Sequence, residues 1–168
     1  TDALRYVKKI TLAGGKRLRP VFMHYGYVAA GGKDFQEILK ATMRVELVHM
    51  FLLIHDDIID MDAHRHGQET INERYRKIAK KYFPRKNADH FGNSIAIVAG
   101  DMIGALGSQV IYESSFSPEL IVRALYKLQS IVSRTVIGET KDIHIEYKNS
   151  ATEEEVLKMY EYKTAKYT

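Results

Sequence analysis

Apolar residues recur at three- and four-residue spacing along most of the chain, without strict alternation. That periodicity predicts helices rather than strands. Leu4, Val7, Ile10 and Thr11 mark one side of a first helix over about 2–12. The stretch AGGKRLRP interrupts it. Pro20 then suits the first turn of a second helix, which runs to about Ala30 and stops at Gly31-Gly32. Asp34 is placed to cap a third helix over about 35–61. The segment 71–82, with NERYRKIAKKY, is so charged that it reads as a solvated excursion more than core, and it ends at FPRKNADHFG. Helices over 93–113, 117–147 and 152–168 follow. Ser117-Pro118-Glu119 and the Thr152…Glu155 spacing are good helix starts. No internal repeat or low-complexity segment is visible. The expected class is all-α, an antiparallel helix bundle in a single domain over 1–168.

Composition narrows this further. A chain of 168 residues with 45% apolar residues can bury a substantial core. The sequence has no Cys, which excludes disulfides and thiolate metal sites and fits a reducing, cytoplasmic interior. Net charge is +4, but the basic residues are spread among acids rather than set in a dense stripe, so nucleic acid is not an expected partner. TDALRYVKKI is already helix-like and shows no small-residue cleavage site, so no signal peptide is expected. The most membrane-like stretch, SIAIVAGDMIGALGSQVIY, has Asp101 at its centre and glycines at 100, 104 and 107. It reads as a closely packed core helix and not a transmembrane segment.

The chemistry concentrates in LLIHDDIIDMDAHRHG, residues 52–67. Positions four apart share a helix face, so Asp56 and Asp60 point the same way about 6 Å apart. His49 lies on the same stripe, seven residues earlier. Two carboxylates at this spacing suit Mg²⁺, which keeps water and phosphate oxygens in the rest of its octahedron. A Ca²⁺ loop would need a different ligand order. Asp62 reads as a solvated acid. GGKRLRP sets Lys16, Arg17 and Arg19 between two glycines and a helix start. Flexible backbone, N-terminal N–H groups and cationic side chains make a phosphate site there. The spacing is not that of a Walker A loop. Together the two sites suggest one phosphate held by Lys and Arg and another held through metal.

In order, these motifs resemble the trans-isoprenyl diphosphate synthases, the family of farnesyl and geranylgeranyl diphosphate synthases. GGKRLRP resembles the isopentenyl diphosphate site, VELVHMFLLIHDDIID the first aspartate-rich motif, and RHG the Arg-Arg-Gly that follows. IAIVAGDMI, GETKDI and YKTA resemble the later Ala-Gly-Asp, Gly-Gln-x-x-Asp and Lys-Thr segments. The resemblance implies a helix bundle of the isoprenoid synthase type, Mg²⁺ as cofactor, and isopentenyl and allylic diphosphates as substrates. It also implies a homodimer. Lys16, Arg19 and His49 would hold the isopentenyl diphosphate. Asp56 and Asp60 would bind the metal, with Asp57 supporting them or sharing a ligand. Arg65, followed by His66, would contact the allylic diphosphate. Lys163 and Thr164 would line the pocket at the reacting allylic group, as catalytic residues with Asp56 and Asp60. Phe51 and Leu52, fifth and fourth before Asp56, would floor the chain-growth tunnel, with geranylgeranyl diphosphate as product. The helical wheel alone puts Phe51 well to the side of the aspartate face.

Departures from the pattern are His66 in place of Arg, Glu139 in place of Gln, and a longer, charged link over 71–92 with no assigned role. The family's second aspartate-rich motif would lie beyond Lys-Thr. The chain is therefore expected to hold roughly the first half of a catalytic domain, incomplete at the C-terminus. A non-catalytic partner subunit and a class I terpene cyclase are the competing readings.

Overall fold

The computed structural model describes residues 2–166. Seven α-helices dominate: α1 Asp2–Leu12, α2 Leu18–Ala29, α3 Phe35–Ile59, α4 Ile71–Tyr82, α5 Ala88–Tyr112, α6 Pro118–Lys148 and α7 Glu153–Tyr160. A two-stranded hairpin, β1 His64–Arg65 and β2 Gln68–Glu69, sits between α3 and α4, and a π-helical turn, Glu161–Ala165, follows α7. The all-α class is as the periodicity predicted. The expected last helix turns π-helical after Tyr160, and its final two positions lie outside the described residues. The chain divides after Ser115 into two compact units.

In the first unit α5 packs along α3, α4 packs on α5, and α2 packs on α3. Tyr6, Val7 and Ile10 of α1 meet Met50 and Ile54 of α3, Ile71 and Tyr75 of α4, and Ala96, Ala99 and Ile103 of α5 in one core. Small residues on α5 set the spacing. A Cβ at Gly92 would overlap the Asn72 carbonyl oxygen and lie 3.0 Å from Arg76 N, so this crossing admits only glycine. By length and composition α5 could cross a bilayer, yet its buried Ala96, Ala99 and Ile103 belong to the core and its central Asp101 is exposed.

The segment 71–82 corrects the expectation of a solvated excursion. Ile71, Tyr75 and Ala79, at i, i+4 and i+8, are buried. The charges occupy the other faces, with Arg76 paired to Glu73 and Lys77 to Glu69 at 2.6 Å. Spacing outweighs mean polarity, because a third of an amphipathic helix is enough to fill its share of a core. Helix α5 begins five residues before the expected 93, because the Asn87 side chain caps it by accepting the His90 N–H at 3.0 Å.

The hairpin is an element that periodicity does not predict. His66 (φ 49°) and Gly67 (φ 73°) form its two-residue loop, with His64 opposite Glu69 and Arg65 opposite Gln68. Both central residues have positive φ, the geometry that matches strand twist in a tight hairpin.

In the second unit α6 starts at the Ser117 cap, whose hydroxyl accepts the Leu120 N–H, and ends at Asn149 in the left-handed region. Thr152 and Glu155 close a reciprocal capping box at the start of α7. Both starts were legible in the sequence.

Candidate active site

The loop between α1 and α2 is pinned by Arg17. This residue takes the left-handed conformation at the N-cap of α2 (φ 51°). Its guanidinium pairs with Glu46 of α3 and donates to the Thr11 carbonyl. Arg19 Nη1 lies 3.2 Å from His49 Nε2. A guanidinium can only donate, so Nε2 accepts and the imidazole proton sits on Nδ1. Burial, with Arg19, Arg65, Arg17 and His66 around it, holds His49 near 4, so it is neutral at pH 7. Lys16, Arg17, Arg19, His49, Arg65 and His66 surround a cavity of about 240 Å³ that Glu46 also lines. Four permanent cations against one carboxylate give the cavity a lining suited to an anion.

The acidic end of α3 adjoins this cavity through Arg65. The hairpin turns Arg65 back so that Nε lies 2.5 Å from Asp57 Oδ1 and Nη2 lies 3.0 Å from Asp56 Oδ2. Asp62 receives the same nitrogen at 3.4 Å, and its carbonyl accepts the Thr70 hydroxyl at 2.7 Å. Asp62 is thus part of the turn that aims Arg65, not merely a solvated acid. Burial lifts Asp57 to about 6, while the hydrogen bond and charge of Arg65 pull the other way. Asp56 is half-buried, and Asp60 caps α3 with its N–H on the Asp56 carbonyl at 2.8 Å. The Asp57 carboxylate is turned to Arg65.

Phe51 leaves the aspartate face sideways, as the wheel predicted. Its ring stands edge-on to His55 at 4.8 Å and faces Gly104 of α5, where an added Cβ would lie 3.4 Å from Phe51 Cγ. Leu52 is half-buried. His55 Nε2 approaches Asp101 at 3.6 Å.

The second unit carries Lys163 and Thr164 in the π-helical turn. Such turns often mark functional positions. Lys163 Nζ lies 2.6 Å from Asp142 and 3.0 Å from Glu139. Burial opposes its charge, but the two carboxylates hold the ammonium above its usual range. Thr164 is exposed.

The structure therefore gathers Lys16, Arg19, His49, Arg65 and His66 around one cavity and ties Asp56 and Asp57 to it through Arg65. Sequence reading missed Glu46 as the anchor of Arg17. Its signal was position, since Glu46 stands one helical turn before His49 on α3.

A family model described as polyprenyl synthetase matches residues 2–168. Geranylgeranyl pyrophosphate synthase of Geoglobus acetivorans is 36% identical over 152 residues, covering 90% of this chain and 42% of that protein. Geranylgeranyl diphosphate synthase of Methanosarcina mazei is 31% identical over 153 residues, covering 91% and 42%. Among solved structures, geranylgeranyl pyrophosphate synthase from Corynebacterium glutamicum, complexed with isoprenyl diphosphate and magnesium, aligns with a TM-score of 0.91 and 30% identity over 99% of this chain and 48% of that one. The chain spans just under half the length of these relatives.

Proposed function

The chain belongs to the polyprenyl synthetase family, and from that premise we propose that its protein is a prenyltransferase. It would join isopentenyl diphosphate to an allylic diphosphate, with geranylgeranyl diphosphate as product. The observation that carries this reading is the place of Arg65, which lines the anion cavity and also bonds Asp56 and Asp57. One site for a diphosphate is thereby joined to a second site where carboxylates gather.

Lys16 and Arg19 donate to the isopentenyl diphosphate, and neutral His49 steadies Arg19 by accepting from it. Asp56 and Asp60 would hold Mg²⁺, since their hard oxygens one turn apart suit an ion that keeps several waters. Mg²⁺, when bound, supplies positive charge against the allylic diphosphate. Asp57 supports the site by holding Arg65, and Arg65 with His66 faces that diphosphate. The allylic carbon–oxygen bond breaks with its electron pair going to the departing diphosphate. The isopentenyl double bond attacks the cation, a new carbon–carbon bond forms, and a proton leaves. Lys163 and Thr164 would act on the reacting allylic group, and Phe51 with Leu52 would floor the growing chain. The two units would lie within one catalytic domain of a cytoplasmic homodimer, as members of this family are expected to form.

The test is incubation of the whole protein with Mg²⁺, labelled isopentenyl diphosphate and farnesyl diphosphate. A C20 product is expected. Absence of any elongation would refute the reaction, and a C30 or longer product would refute the Phe51 floor. Asp56→Ala should abolish turnover, and near-normal rates in that variant would remove its metal role.

A further inference from the structure

The proposed reaction leaves the corner between α4 and α5 unused. Lys80, Lys81, Tyr82, Phe83, Arg85 and Lys86 are all exposed there. The corner is built, not loose. Phe83 N–H donates to the Ala79 carbonyl at 2.7 Å and Lys86 N–H to the Phe83 carbonyl at 2.9 Å, just before the Asn87 cap of α5.

These cations differ from those earlier on α4. Arg74 leans on Asp2 at 3.9 Å, while Arg76 and Lys77 pair with Glu73 and Glu69. Among the described residues, Lys80, Lys81, Arg85 and Lys86 have no ion pair. The α4 dipole accounts for Lys80 and Lys81 in the last turn. It does not reach Arg85 and Lys86 beyond the helix end, nor does it explain Tyr82 at 62% and Phe83 at 48% exposure.

We propose that this corner docks the protein on an anionic lipid surface. Juxtaposed Lys and Arg are drawn to anionic headgroups, and an amphipathic ring such as that of Tyr82 settles at the headgroup level. A nucleic acid would use the rings as stacking platforms. Here Phe83 sits 5.6 Å from the Phe91 ring, which leaves Tyr82 as a single open ring at the corner and not a row of platforms. The four cations are also confined to the end of α4 and the short connection before α5, and do not run along a helix as the stripe that tracks a phosphate backbone does. Docking is independent of the reaction proposed above.

The experiment is sedimentation of the protein with vesicles of phosphatidylcholine alone or with about a third phosphatidylglycerol, at ~0.1 M salt. Binding is expected only with the anionic vesicles and should weaken as salt rises. Each cation near the surface multiplies partitioning about fivefold, so changing Lys80, Lys81, Arg85 and Lys86 together to Gln should lower binding on the order of several hundred-fold. Far-UV circular dichroism should be unchanged in that variant. The sequence has no Trp, so Tyr82→Trp places a reporter at this corner, and its emission should shift to the blue on anionic vesicles. Equal binding to both vesicle types, a quadruple variant that binds like wild type, or unshifted emission from the Tyr82→Trp variant would overturn docking. So would a preference for single-stranded DNA over anionic vesicles.

Discussion

Arg65 Nε lies 2.5 Å from Oδ1 of Asp57, a carboxylate that is only 5% exposed at the end of α3. Arg65 is itself largely covered, so the pair is held away from water on both sides. Removing one member of such a pair leaves the other charge without its nearest counterion. Asp57→Ala is therefore expected to cost about 2–4 kcal/mol in urea unfolding. Asp62→Ala should cost under about 1 kcal/mol, because its contact with the same guanidinium is longer and half-exposed. Equal losses would show that Asp57 does not anchor the hairpin.

His49 ties stability to pH. Its folded value near 4 lies below the ordinary 6.5. The unfolded chain then binds a proton that the folded chain refuses between those values. Its contribution is complete above about pH 6.5 and is lost as pH falls toward 4. Asp57 works in the opposite sense. Its raised value near 6 lets the folded chain take up a proton first, which favours folding as pH falls through 6. Wild type alone should thus show a shallow curve. His49→Gln exposes the separate contributions: relative to wild type, the variant should gain on the order of 1–3 kcal/mol between pH 6.5 and 4. Denaturant midpoints across that range give the difference, and parallel curves would disprove the assignment.

The contrast between α4 and α3 shows how far a sequence can be read. Caps at Asp34, Ser117 and Thr152 were legible because each works through neighbours in the chain. So was the shared face of Asp56 and Asp60, which follows from helix geometry alone. The burial of Ile71, Tyr75 and Ala79 was hidden by the charges between them, although their spacing carried it. The left-handed His66 was not legible, because a residue other than glycine gives little sign of positive φ. That single turn sends Arg65 back to Asp57. The Arg17–Glu46 pair was equally hidden, since its members come from segments separated by a whole helix.

Arg44 lies on α3 at 1% exposure, and none of its three guanidinium nitrogens has a hydrogen-bond partner among the described residues. Burial lowers its affinity for the proton. A charge in that position opposes folding, while its aliphatic stem packs usefully. Arg44→Met keeps the volume and drops the charge, so it should stabilise the protein by about 1–4 kcal/mol. The urea midpoint should rise with an unchanged slope. A lower midpoint would reveal that the guanidinium is favourably placed after all.

Two glycines should respond in opposite ways to the same added methyl. A Cβ at Gly138 of α6 would overlap the backbone N and Cα of Lys163 and the carbonyl carbon of Tyr162. Backbone cannot swing aside as a side chain can, so α6 and the π-helical turn must separate. Lys163 would then lose its contacts with Glu139 and Asp142. Gly138→Ala should cost about 1–3 kcal/mol, and on the proposed role of Lys163 it should also slow turnover. Gly26 lies in α2 with nothing within 4 Å of an added Cβ. Alanine there only reduces the freedom of the unfolded chain, so Gly26→Ala should stabilise by about 0.5–1 kcal/mol. Thermal melts of both variants give the sign of each effect. If Gly138→Ala melted at or above the wild-type temperature, the close approach of Lys163 to α6 would be wrong.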